Sequence, residues 1–516
     1  MKSVYALVFF VLSSTLLQAQ FKPAFDQKIS LNRDGWFNRQ KSLSEVNRFS
    51  DLVPNPNKTS FPDTNNKLSP DTLKHNMYGD LLDDNPLYNK KSSIAMVALR
   101  VSLANVTTFV IDRYLFNYDF SRVGINSWKY NMQKGWEWDQ DRFGMNYFFH
   151  PFSGGMYFNA ARANGYSFFE SVPFAMLGSL EWEYFGENTR PSYNDFINTP
   201  INGSFLGEIF YRLGSDILDD RSTGFERFFR EAAVAIMTPT RFFSRLLQGR
   251  LTRLTQDEVY QKEQLNVTLQ AGYHNVNEGR LIENNSTHSL NLNLSVYYGN
   301  PFEKRERKPF DFFNVRGDLD FGLGRKIVDL ATGYGILFGS NVQVGNLEML
   351  VGLFQHMNFF DNNTFELGTI AFGPSIISKL PLSNSTSLYT NLHVALVPFG
   401  ALSKRAGISD TSQVRDYDYT GGAELKIETA FNIAGWVDLS FIGYYWWFRT
   451  WVGVAGNNYI GIIKPSIAFK LYNNFSLGFE QLVYYSDRYP TDFPSVHSVR
   501  TEQKIFIQLY LGKFRF

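Results

Sequence analysis

From Gln264 onward, apolar and polar residues alternate with a period of two. Leu265, Val267, Leu269, Ala271 and Tyr273 are interleaved with Asn266, Thr268, Gln270 and Gly272. The same alternation runs through Leu290–Tyr298 and Phe313–Phe321. In Ala423–Phe431 one face carries Leu425 and Ile427 and the other Glu424, Lys426 and Glu428. A period of two predicts strands. Each run is about ten residues, the length a tilted strand needs to cross hydrocarbon. Further runs begin near Asp329, Leu347, Phe365, Ser387, Trp436, Tyr459, Asn474 and Glu502. That makes about twelve strands, an even number that returns both chain ends to one rim. Asn362-Asn363, Ser383-Asn384-Ser385, Asn457-Asn458 and Asn473-Asn474 punctuate them as turns. A soluble β-sandwich would alternate in the same way. Strand number and the two chain ends favour an antiparallel transmembrane β-barrel.

Upstream the period changes. Gly155–Asn164, Phe168–Phe185, Gly203–Asp219 and Gly224–Gly249 read as helices, the last divided by Pro239. Phe205, Ile209, Leu213 and Ile217 recur every four residues on one helix face. Ser93–Phe116 is apolar and long enough to cross a bilayer, but Arg100 near its centre would cost several kcal/mol facing lipid. A helix buried against protein is therefore predicted. The expected fold class is α+β, with a helical domain over residues 92–254 and a barrel over residues 260–516. The short linker Thr255–Glu263 suggests helices that plug the barrel or lie below it on the periplasmic side. Residues 20–91, rich in Asn, Pro, Asp and Ser, read as an extended periplasmic segment. Residues 1–19 read as a signal peptide, with Lys2, an apolar stretch from Val4 to Leu17 and a cleavage site at Leu17-Gln18-Ala19.

Composition narrows the class. Of 516 residues 17% are aromatic, with 49 Phe and 28 Tyr, and only 19% are charged. Mean hydropathy is −0.24, too low for a multi-helix transporter. A net charge of +1 excludes an electrostatic nucleic-acid binder. The absence of cysteine excludes disulfides, thiolate metal sites and cysteine nucleophiles. These features point to the outer membrane of a Gram-negative bacterium, with outer-membrane lipid as a partner. The final Phe516 resembles the C-terminal signal that outer-membrane barrels present to the barrel assembly machinery. Tyr444–Phe448 and Tyr484-Tyr485 are expected in aromatic girdles at strand ends.

The densest polar constellation lies between Gly135 and Arg212. Its pieces are Trp136-Glu137-Trp138-Asp139, His150-Pro151-Phe152-Ser153-Gly154-Gly155, Ala161-Arg162-Ala163-Asn164-Gly165, Gly178-Ser179-Leu180-Glu181-Trp182-Glu183-Tyr184 and Pro191-Ser192-Tyr193-Asn194-Asp195. Gly203, Gly207, Glu208 and Arg212 complete it. In this order the pieces resemble an uncharacterised "domain of unknown function" family of bacterial outer-membrane proteins. The resemblance implies a C-terminal barrel and no particular activity.

The residues themselves allow three readings. His150, Glu183, Glu187 and Asp195 are candidates for acid–base catalysis, with Ser153 or Ser179 as nucleophile if folding brings His150 to one of them. There is no HExxH or GxSxG signature, and neither metal nor cofactor is expected. Alternatively Arg162 and Arg212 pair with Glu183, Glu187 or Glu208 in a buried network, while Gly154, Gly155, Gly203 and Gly207 permit close helix contact. In the third reading the domain binds lipid, with Arg162, Glu208, Arg212, Arg227 and Arg230 as binding residues. Phe225, Phe228 and Phe229 beside Arg227 and Arg230 suit an interface with anionic headgroups. The remaining histidines are scattered and read as surface or lumen residues.

Overall fold

The structure is a computed structural model. It describes residues 91–256, 258–278, 287–322, 327–362, 365–403 and 416–512. The signal peptide, the extended segment before residue 91 and Phe516 lie outside the described residues.

Among the described residues, seven α-helices come first: α1 (Ile94–Val110), α2 (Ile125–Lys134), α3 (His150–Arg162), α4 (Phe168–Glu181), α5 (Tyr193–Ile217), α6 (Gly224–Met237) and α7 (Pro239–Leu247). Pro239 separates α6 from α7, as expected. Ser167 caps α4 and receives the reciprocal bond from Glu170. Twelve strands follow: β1 (Leu265–Glu278), β2 (Thr287–Tyr298), β3 (Phe313–Phe321), β4 (Val328–Val344), β5 (Leu347–Asp361), β6 (Glu366–Ser383), β7 (Thr386–Ser403), β8 (Tyr417–Ile433), β9 (Val437–Val452), β10 (Gly456–Tyr472), β11 (Phe475–Pro490) and β12 (Val496–Leu511). Each strand pairs antiparallel with its sequence neighbours, and β1 pairs with β12 to close the barrel. Tight turns at Gly345, Gly435 and Asn473 lie at the end where β1 starts and β12 stops. In transmembrane barrels that end faces the periplasm.

Register divides the residues between two faces. Leu425, Ile427, Trp447, Ile463, Phe479 and Ile505 are exposed on the outer wall, as lipid-facing positions should be. Glu424, Lys426 and Glu428 point into the lumen and are buried. The expected girdle splits along this alternation. Tyr445 and Trp447 face outward, but Tyr444, Trp446 and Phe448 are buried in the lumen mid-strand. Tyr484 points inward likewise.

Side chains pack across much of the lumen, leaving a cavity of about 130 Å³ in the half nearer the Gly345, Gly435 and Asn473 turns. Arg316 on β3 reaches across to Glu428 on β8 through a paired contact of 2.6 and 2.9 Å. Tyr444 at 2.6 Å, Tyr334 at 3.1 Å and Asn391 at 3.2 Å also donate to Glu428. Beside it, Lys426 donates to Asn358 at 2.8 Å and Trp446 to Glu424 at 2.9 Å. An apolar cluster with Phe360, Leu367, Trp446, Phe448, Ile460 and Tyr484 packs towards the other end. Among the described residues, no helix residue enters this interior.

The helical domain lies against the outside of the barrel, which corrects the expectation of a plug or a periplasmic domain below it. Phe359 on β5 and Phe399 on β7 are outward by register, and they stack on Phe143 at 5.5 Å and Trp138 at 6.1 Å. Phe205 of α5 packs over Gly333 of β4, where any side chain would collide. Gln355, outward on β5, donates to the Ile201 carbonyl at 3.0 Å. Covering outward-facing apolar positions with helices removes them from lipid as effectively as from water.

Helix α1 departs from expectation too. Only Val97, Val101 and Asn105 are buried, while Leu99, Leu103 and Val106 lie exposed along its outer flank, as does Leu115 in the π-helical turn that continues it. Residues Ile94–Leu115 are apolar and long enough to cross a membrane. Arg100 turns inward to the Asn164 carboxamide, so the exposed flank carries no charge there.

Candidate functional site

The site is built by one helix crossing. Gly154 and Gly155 of α3 meet Gly203 and Gly207 of α5 backbone to backbone. A Cβ on Gly203 would stand 2.6 Å from the Gly154 Cα, so only glycine permits this approach. The crossing brings the start of α3 against the start of α5. His150 Nε2 thereby lies 3.8 Å from Asp195 Oδ1, although 45 positions separate them in sequence.

Around this contact is a cavity of about 250 Å³. Its polar lining comes from His150, Ser153, Ser179, Glu183, Glu187 and Thr199, with Asp112 and Asp141. One wall is a row of stacked rings, Phe116 on Tyr118 at 5.5 Å and Tyr118 on Phe120 at 5.4 Å. Tyr157 and Trp182 form another. At this size the cavity takes a head group or one chain segment, not a whole lipid.

The carboxyl groups are held by neutral partners. Glu183 accepts from the Ser192 amide at 2.6 Å. Glu187 accepts from Trp182 Nε1 at 2.6 Å and Thr189 Oγ1 at 3.0 Å. Asp195 accepts from Ser192 Oγ and from Asn194 Nδ2. Asp139 accepts from Asn146 at 2.9 Å, and Asn146 also donates to Tyr417 on the barrel wall at 2.6 Å. Burial raises the pKa of Glu183 and Asp195 well above the carboxylate range, with the Asp139 charge adding to both. Burial, reinforced by Asp141, raises Glu187 to about 7. Asp139 goes the other way: despite burial, hydrogen bonds from Asp195, Asn194 and Asn146 hold it low. Burial also lowers His150, against the pull of Asp139, so its imidazole is neutral. The site thus pairs one ionised carboxylate with several protonated or half-protonated ones and an uncharged imidazole.

The candidates therefore separate into two groups. His150, Glu183, Glu187 and Asp195 converge on one site, with both Ser153 and Ser179 at the same cavity. Glu187 reaches it from beyond the helix, in extended backbone after the π-helical turn Trp182–Gly186. Arg162, Glu208 and Arg212 form a different cluster. Arg162 and Arg212 both grip Glu208 at 2.8 Å, and Arg212 continues to Asp311 of the β2–β3 connection at 3.2 Å. Neither arginine pairs with Glu183 or Glu187.

Arg227 and Arg230 face inward, a correction to the headgroup reading. Arg227 donates to the Leu251 carbonyl at 2.8 Å and to Asp220 at 3.3 Å, and Arg230 to the Ile217 carbonyl at 2.6 Å. Fixed carboxylates and helix-end carbonyls within the fold satisfy these guanidiniums. The exposed apolar residues here are Phe225, Phe228, Phe229, Phe243, Leu246 and Leu247. Sequence reasoning did not single out Asp139 or the Phe116-x-Tyr118-x-Phe120 row. The alternate spacing of three rings was the available signal. It also scattered His356 and His393, whose rings meet at 5.0 Å inside the lumen.

A closed twelve-strand barrel with a lipid-compatible outer wall defines an outer-membrane β-barrel protein, here with a helical domain docked on that wall. Residues 135–240, which include the whole cluster from Asp139 to Asp195, match the family model described as Domain of unknown function (DUF3943). No curated protein matches the chain in sequence. Among solved structures it is similar to the outer membrane channel DcaP of Acinetobacter baumannii, at 7% identity over 48% of this chain and 97% of that one, TM-score 0.23. It is similar to an outer membrane channel from Pseudomonas putida F1, at 7% identity over 50% and 99%, TM-score 0.28. A third is the NanC porin, at 8% identity over 48% and 100%, TM-score 0.26.

Proposed function

We propose that the protein binds a lipidic component of the outer membrane in the cavity beside α3, with the molecule's polar end at His150, Glu183 and Glu187. The observation that carries this reading is the cavity's position. It opens among half-buried aromatic residues next to Asp112 and Phe116, directly after the exposed apolar flank of α1. An amphiphile moving within the bilayer meets apolar walls first and a polar floor last, the usual layout of a ligand pocket.

Native mass spectrometry of protein extracted in mild detergent tests this. The wild type is expected to retain a lipid that Ser153→Trp, which fills the cavity, loses at least tenfold. Equal retention by both, or none by either, overturns the reading.

A further inference from the structure

Elsewhere in the helical domain, several buried carboxylates are matched with guanidiniums. Glu208 sits between Arg162 and Arg212 at 2.8 Å each. Asp220 takes Arg245 at 3.0 Å and Arg253 at 2.6 Å, and Glu231 takes Arg245 at 2.6 Å. The cavity breaks this pattern. Glu183 and Glu187 have only an amide, an indole and a hydroxyl as partners, and no Lys or Arg is among the residues lining the cavity. Buried acids without a cationic partner hold their protons, and an arriving cation favours their ionised form. Here they do so beside empty volume.

Two further observations show that the volume is prepared for a ligand. Thr199 lines it, is 2% exposed, and its hydroxyl has no hydrogen-bond partner. The rings of Phe116, Tyr118, Tyr157 and Trp182 line the same cavity as the acids. Rings beside carboxylates are what an organic ammonium group needs, since both attract cations and only the rings tolerate its carbon substituents. Among the described residues no three acidic or imidazole groups are placed to chelate a metal ion. An anionic head group would meet the Glu183 and Glu187 carboxyl groups and no Lys or Arg of the lining.

We propose that the amphiphile held in this cavity carries a cationic amine head group, for which Glu183 and Glu187 supply the counter-charge by giving up their protons. This rests on the lipid-binding reading above and names the class of ligand.

The test uses the full mature chain in a non-ionic detergent, titrated with dodecylamine, dodecanoic acid and magnesium ions, with binding followed by native mass spectrometry. Dodecylamine is expected to bind at least tenfold more tightly than dodecanoic acid. Glu183→Gln with Glu187→Gln should erase that preference, while Glu187→Gln alone weakens it. The wild-type comparison needs no variant, and heat-modifiable migration verifies that each variant is folded. Equal binding of acid and amine, each abolished by Ser153→Trp, overturns the head-group assignment and leaves lipid binding intact. Binding of neither probe overturns both. Magnesium that displaces dodecylamine and binds with higher affinity overturns the organic ligand in favour of a metal ion.

Discussion

Gly203→Ala is the most direct probe of how the site is assembled. The new methyl carbon would stand 2.6 Å from both the Cα and the carbonyl carbon of Gly154 and 2.9 Å from the Gly155 nitrogen. Carbon atoms rest at about 3.5–4.0 Å, so α3 and α5 must separate by about 1 Å. The obstructing atoms are backbone, and no side chain can swing away. Overpacking of this kind costs about 1–3 kcal/mol. The contact it loosens is His150 with Asp195, already at 3.8 Å. Hydrogen exchange of the α3 and α5 amides in detergent reads the loss locally, where unfolding of the whole barrel would mask it. Protection should fall about five- to 150-fold, since each 1.4 kcal/mol is tenfold. Gly124→Ala is the control, because nothing lies within 4 Å of its Cβ position. A Gly203→Ala protein whose α3 and α5 amides exchange within about twofold of the control would refute the argument that this crossing is closed to any side chain.

Other outcomes follow from the same structure. Arg316→Ala should destabilise the barrel by about 3–5 kcal/mol, because it leaves Glu428 buried without its guanidinium; the urea midpoint of heat-modifiable migration measures this. Combining it with Glu428→Ala should cost less than the sum of the single changes. In planar bilayers the wild type should show no steady open-pore conductance, and a stable ohmic current would contradict the packed lumen. Glu187 titrates at about 7 in the folded protein against 4.5 when unperturbed. The folded state therefore binds the proton more tightly, and its contribution to stability is full below pH 4.5 and lost as pH rises towards 7. Asp139, Asp141 and Glu183 face the same group, so Glu187→Gln should flatten the thermal-shift slope in this window without abolishing it.

Much of the architecture was legible because strand chemistry is local. The period of two in Leu265–Tyr273 and Ala423–Phe431 needs only neighbouring residues, and Asn473 marks a turn by its own conformational tolerance. The His150, Glu183, Glu187 and Asp195 group was legible as a set but not as a site, since its geometry depends on four glycines two helices apart. Other features were hidden for a physical reason. A wall that faces lipid and a wall that faces a helix are both apolar, so Phe359, Phe399 and Met357 carry no mark of which one they meet. The Arg316–Glu428 pair joins positions 112 apart, and nothing in either neighbourhood announces the other. Arg227 and Arg230 misled because a helix rich in Arg and Phe is amphipathic whichever face turns inward.

The flank that the helices occupy runs along β2 to β8 and reaches Leu265 at the start of β1, whereas further along the β1–β12 join Tyr273, Ile505 and Ile507 stay bare. Among the described residues, the helices leave most of the suture between the first and last strands uncovered. A helical clasp already seated on its flank would leave those two strand edges free to meet.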